Sequence, residues 1–174
     1  MLKQNFPEIA PQVNCGRSRE LRKLIQDGQL DIAVVTGEPA FTNEETLWSE
    51  RMIWAASPSL TIDKDQPLPL ALFDGDCIMQ ACCLRDLNQS GRHFTTVLTS
   101  PELNNLRDAV ISGLAVSLLP ESSLHGIPQS TQSVPGLPQD NLLSINLIHA
   151  EDIDREFLKP LAECFRQAAA NAPR

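Results

Sequence analysis

Residues 97–120 (VLTSPELNNLRDAVISGLAVSLLP) constrain the fold more than any other part of the chain. Val97, Leu98 and Thr99 read as the end of a strand. Ser100 can cap a helix and Pro101 suits a first helical position, so a helix is expected to start there. Leu103, Leu106 and Val110 then recur at helical spacing. Gly113 is the expected stop, and residues 114–119 are apolar enough for a buried strand.

The same order occurs earlier. Residues 11–15 read as a short strand and residues 18–27 as a helix starting at Ser18, with Leu21, Leu24 and Ile25 on one face. Gly28 is its stop, and residues 30–35 form an apolar run of strand length. Strand, helix and strand in close succession predict parallel pairing, because parallel strands need a crossover. Between the copies, strands are expected at 47–57, 68–73 and 93–99, with a helix over 77–89 capped by Asp76. Residues 2–6 read as the tail of a helix and residues 121–139 as loop. A strand at 142–148 and a helix at 152–170, bent or delayed by Pro160, complete the pattern.

Composition narrows the function. The chain has 174 residues and a formal net charge of -8, which argues against a grip on nucleic acid through its overall field. It has no apolar run of transmembrane length and its first residues do not form a secretory leader, so a soluble, cytoplasmic protein is expected. Five cysteines (Cys15, Cys77, Cys82, Cys83 and Cys164) lack the spacing of a disulfide framework or zinc knuckle. No nucleophile elbow, phosphate loop or His-Glu-x-x-His is present, so neither an enzyme nor a cofactor or metal site is expected.

The motifs together resemble the effector-binding domain of LysR-type transcriptional regulators. The 109–120 run is similar to that family's A-V-x-x-G-L-(G/A)-V-x-x-L-P. Phe6-Pro7-Glu8-Ile9 resembles its F-P-x-(V/I), and residues 24–33 resemble L-x-x-G-x-L-D-(I/L)-A. Trp54 to Pro58 looks like its crossing strand, and residues 77–92 resemble C-x-x-R…L-x-x-x-G-R, with Gln80 where many members carry Arg.

The resemblance implies an α/β fold of two Rossmann-like lobes with a central cleft, like type 2 periplasmic binding proteins. The first lobe would be residues 1–57 plus 145–174, truncated at its start, and the second 58–144. It also implies a small-molecule effector, a homodimer or higher homo-oligomer using helices 18–27 and 77–89, and DNA contact only through an N-terminal winged helix-turn-helix outside this chain. No membrane partner is implied.

Ligands in open parallel sheets bind beyond the carboxyl ends of strands, and helix starts there favour anions. The candidate ligand residues are therefore Gly16, Arg17 and Ser18, with Thr36 and Gly37 after the next strand, and Ser100 and Pro101 in the second lobe. Arg17 suits a carboxylate, whereas Pro101 removes a donor and Glu102 adds negative charge, so an anion is expected to prefer the first lobe. Plain capping is the ordinary role of Ser18 and Ser100. A solute-binding protein of the same fold and a cysteine-based redox sensor at Cys77 are the alternatives.

Overall fold

A computed structural model describes residues 6–37, 44–75, 77–124 and 132–171. The expected helix tail at 2–6 therefore lies almost wholly outside the described residues, as does the expected cap Asp76. Contacts group the chain into two α/β units, Met1–Ser49 with Ser144–Pro173, and Glu50–Leu143.

The first unit is built on two antiparallel strands, β1 (Ile32–Gly37) and the later part of β7 (Asn141–His149). Ile32 stands opposite His149 and Gly37 opposite Ser144. Helix α1 (Ser18–Gln26) covers one apolar face, with Leu21 packed among Ala33, Val35 and Ile148. On a second cluster, Leu158 and Ala162 of α4 (Arg155–Ala170) pack with Leu47 and Leu147. Alternation in β1 explains this division, since successive residues point to opposite faces. Phe6 meets Phe157 of α4 edge-on with ring centroids 5.0 Å apart, which gives the N-terminal Phe-Pro motif a packing role.

Residues 11–15 are not a strand. All five are exposed, and Pro11 cannot donate to a ladder. The expected parallel pairing is therefore absent among the described residues of this unit, where β1 pairs antiparallel with β7. Helix α4 starts at Arg155, with the Asp154 carboxylate accepting the Glu156 N–H at 2.9 Å. Pro160 sits inside the helix, so the Glu156 carbonyl lacks its usual i+4 donor.

In the second unit the crossover rule holds. Strand β3 (Leu68–Phe73), helix α2 (Ile78–Ser90) and strand β4 (Phe94–Ser100) form a β-α-β unit, with β3 and β4 parallel. Helix α3 (Leu103–Ile111) then leads to a parallel bridge between Val116 and Leu70, on the other side of β3. The apolar run continues into β5 (Ser117–Pro120), which pairs antiparallel with the later part of β2 (Glu45–Ala56). The run is buried from Ala115 onward, whereas Leu114 is 55% exposed. A short 3-10 helix (Glu121–Leu124) and the two-residue β6 (Gln132–Ser133) fall in the stretch expected to be loop. Gly113 holds φ +75°, a left-handed conformation that ends α3, and a Cβ there would stand 2.7 Å from Ser59 Oγ.

Candidate effector site

The candidate residues of the first unit gather where α1 begins beside the end of β1. Arg17, not Ser18, is the N-cap of α1, and its backbone N–H donates to the Glu20 carboxylate at 3.3 Å. Ser18 is the first helical residue. Its hydroxyl lies 2.9 Å from Thr36 Oγ1 and accepts the Thr36 backbone N–H at 3.1 Å. These two bonds strap the start of α1 to Thr36 near the end of β1. Gly16 and Arg17 are exposed beside it. The N–H groups of the first helical turn have no acceptor within the helix, so the α1 start carries partial positive charge next to the Arg17 cation.

Thr36 and Gly37 are the last two residues of β1, paired with Ile145 and Ser144, and do not follow the strand as expected. A Cβ on Gly37 would stand 2.5 Å from Arg22 Nη2 and 3.3 Å from both Asn146 Nδ2 and Glu44 Oε2. Its missing side chain makes room for a charged cluster. Arg22 pairs with Glu44 and donates through Nη2 to the Thr36 carbonyl at 3.2 Å. The Glu44 carboxylate also accepts from Asn146 Nδ2 at 2.6 Å. Ser144 Oγ donates to the Gly37 carbonyl. Burial pulls the Arg22 guanidinium below its ordinary value, and it remains a cation at neutral pH.

Sequence reading missed Arg22, Glu44 and Asn146. A signal was available for one of them. In the apolar run 142–148, Ser144 and Asn146 are polar two residues apart, which places both on one face of a buried strand. Arg22 and Glu44 gave none, because an ion pair across 22 positions has no spacing rule.

In the second unit, Ser100 is 4% exposed. Its hydroxyl oxygen accepts from the Glu102 N–H and from Asn105 Nδ2, both at 3.0 Å. The N-cap of α3 is Glu102, so the helix begins at Leu103 and not at Pro101. The Ser100 hydroxyl closes a turn with a bend at Pro101 and extended backbone at Glu102 before the helix starts. Pro101 is exposed in that turn. A separate cavity of about 260 Å³ is lined by Lys64, Ser90, Arg92, Pro135 and Gly136. The Arg92 guanidinium donates to the Asp63 and Lys64 carbonyls, which ties a loop.

The cysteines divide by environment. Cys77 is the N-cap of α2, its sulfur accepting the Gln80 N–H at 3.4 Å. Gln80 also donates from Nε2 to the Phe73 carbonyl at 2.9 Å, a neutral link where many family members carry Arg. Burial, then the nearby Asp86 carboxylate and Cys82 and Cys77, push the Cys83 thiol up to about 12. The thiolate is the reactive form, so Cys83 is inert near neutral pH. Titration of the native chain with an aromatic disulfide at pH 8 should modify exposed Cys15 promptly and Cys83 only after denaturant is added. Modification of Cys83 at the Cys15 rate would contradict this assignment.

The chain is similar to known proteins. The LysR substrate binding domain model matches residues 1–172, so the chain belongs to the LysR substrate-binding domain family. It is similar to the HTH-type transcriptional regulator DgdR of Burkholderia cepacia, 24% identical over 141 residues, covering 81% of this chain and 48% of that protein. It therefore spans about half the length of the curated relatives it matches.

Two solved structures share its fold. One is the bromide-bound regulatory domain of HypT from Salmonella typhimurium, with TM-score 0.74 and 13% identity, covering 97% of this chain and 89% of that one. The other is the OxyR2 E204G regulatory domain from Vibrio vulnificus, with TM-score 0.75 and 15% identity, covering 95% and 84%. The fold is thus the type 2 periplasmic-binding-protein-like fold of LysR effector-binding domains. Its curated relatives are transcriptional regulators, not enzymes. Among the described residues, no helix is long and apolar enough to cross a membrane.

Proposed function

We propose that this chain is the effector-sensing and dimerisation domain of a LysR-type transcriptional regulator acting in the cytoplasm. Its effector is a small anionic metabolite, bound in the first unit through Gly16, Arg17 and Ser18, with Thr36 and Gly37 beside them. Ser100 and Pro101 remain the candidate ligand residues of the second unit. Binding shifts a conformational equilibrium, and the change reaches DNA through an N-terminal winged helix-turn-helix; the relatives are named HTH-type transcriptional regulators.

The start of α1 carries the reading. It joins a helix N-terminus, an exposed guanidinium and a residue without a side chain at one strand end. The dipole and the Arg17 charge favour an anion there, while the Glu20 carboxylate, 3.4 Å from where a Gly16 Cβ would stand, opposes one. The Glu20 carboxylate occupies the Arg17 N–H.

The reading predicts a charge-reversal effect without a folding effect. Arg17→Glu should weaken the tightest-binding carboxylate about tenfold or more in a calorimetric titration, in line with a charge-assisted contact. Its thermal midpoint should stay within about 2 °C of the parent, because Arg17 is exposed. Equal affinity in parent and variant would remove Arg17 from the site.

A further inference from the structure

Asn146 lies on β7 opposite Val35 and is 1% exposed. Its amide is only half used. Nδ2 donates to Glu44 at 2.6 Å, which fixes the orientation of the amide, because its oxygen facing the Glu44 carboxylate would be repulsive. Oδ1 is then left with no hydrogen-bond partner among the described residues. Buried polar atoms are nearly always paired, so an open acceptor at such depth asks for a donor.

The position of this acceptor gives it a use. The Asn146 side chain reaches toward Gly37, where a Cβ would stand 3.3 Å from Nδ2. Gly37 follows Thr36, which is tied to Ser18 at the start of α1. The acceptor therefore belongs to the same end of the sheet as the anion-favouring helix start. Arg22 pairs with Glu44, so the local charge is balanced and the open atom calls for a hydrogen-bond donor. Leu, Ile or Val would fill the same strand position without a polar cost, as Leu147 and Ile148 do beside it.

We infer that Asn146 is a specificity residue for a donor-bearing effector. Resting on the anionic reading above, this names the effector class as a carboxylic acid with a hydroxyl or amino group beside the carboxylate. The Asn146 carbonyl accepts from that group, while the start of α1 takes the carboxylate. Gly37 and the Arg22–Glu44 pair hold the amide in place.

Matched sets of two- to six-carbon mono- and dicarboxylates test this by calorimetry on the full chain. Each skeleton is offered unsubstituted, as its 2-hydroxy form and as its 2-amino form. For the tightest skeleton, a substituted acid should bind about tenfold or more tighter than the unsubstituted one, as expected when a buried polar group is otherwise left unpaired. Whichever substituted form wins identifies the donor.

In Asn146→Leu and Asn146→Ser the preference should collapse to within about twofold, while affinity for the unsubstituted acid holds. The parent chain alone decides if neither variant folds. Equal binding of substituted and unsubstituted acids by the parent overturns the role of Asn146 and leaves the anionic reading standing. No binding by any carboxylate overturns that reading, and this inference with it.

Discussion

Replacing Asp86 by alanine is expected to remove about 3 kcal/mol of folding stability, the size of effect seen when one member of a buried charged network is deleted. Asp86 sits on α2 and is 1% exposed. Its Oδ2 accepts from Trp54 Nε1 at 2.9 Å and from Asn141 Nδ2 at 2.5 Å. Arg85 Nη2 stands 3.5 Å from the other oxygen. The Trp54 side chain is itself fully buried, so alanine at 86 would leave an indole N–H without an acceptor in an apolar surround.

Asp86→Asn separates acceptor from charge. The amide oxygen can still receive the indole, so the loss should be smaller, about 1–2 kcal/mol. Urea denaturation of the three proteins checks the order. A loss below about 0.5 kcal/mol for Asp86→Ala, the range of ordinary surface changes, would mean that the network contributes little. The structural consequence reaches both long strands, because Trp54 lies on β2 and Asn141 begins β7.

The second large effect is expected at Leu106, where alanine should cost about 3–4 kcal/mol, within the range for buried leucines in rigid cores. Leu106 is fully buried on α3. Its cluster contains Ala55, Ala71, Ala109 and Ala115, with Phe73, Val110 and Leu119. Four of those neighbours end at Cβ and cannot swing inward, so the cavity stays open and the full contact loss is felt. Leu114 provides the control. It is 55% exposed, and Leu114→Ala should change stability by less than about 0.5 kcal/mol. Equal losses at 106 and 114 would contradict the placement of the run against the second unit's core.

Leu106 and Asp86 show where sequence reading succeeds and where it fails. Leu106 was legible because helix periodicity places it with Leu103 and Val110, and the pattern agrees with the glycine stop at Gly113. β3 was legible over its whole length, since an apolar run bounded by Pro67 and Asp74-Gly75 leaves little freedom. Asp86 was not. A carboxylate on a helix reads as a solvated face, and its partners lie 32 and 55 positions away.

The helix starts failed in a related manner. Serine at 18 and at 100 is the preferred capping residue type, yet each hydroxyl has a competing local partner. Ser18 bonds to Thr36, and Ser100 closes its own turn through Glu102 and Asn105. Arg17 and Glu102 hold the N-cap positions instead. The first copy of the strand-helix-strand pattern failed for a different reason. Among residues 11–15 only Val13 is a strong strand former, beside the strand-poor Pro11 and Asn14, and a strand is defined by pairing, which a short run does not report. In the second unit β3 and β4 supply that pairing for each other.

The candidate site follows the same division. That residues 16–18 lie beside the end of the 30–37 run was legible, although the rule behind it assumed a parallel pairing that β1, antiparallel to β7, does not make. The cluster beneath them was not, because it depends on three chain segments meeting at Gly37. Gly37 itself was singled out as a ligand contact, and the structure adds a packing reason for glycine there.

The central claim is that an anionic effector is held at the start of α1. The most direct measurement is a two-dimensional amide NMR titration of the labelled chain with the tightest carboxylate of the calorimetric series. The account predicts that the largest shift changes fall on Gly16, Arg17 and Ser18, with Thr36 and Gly37 following, and that Arg17→Glu suppresses them. Saturable shifts confined to other residues, with these five amides still, would contradict it.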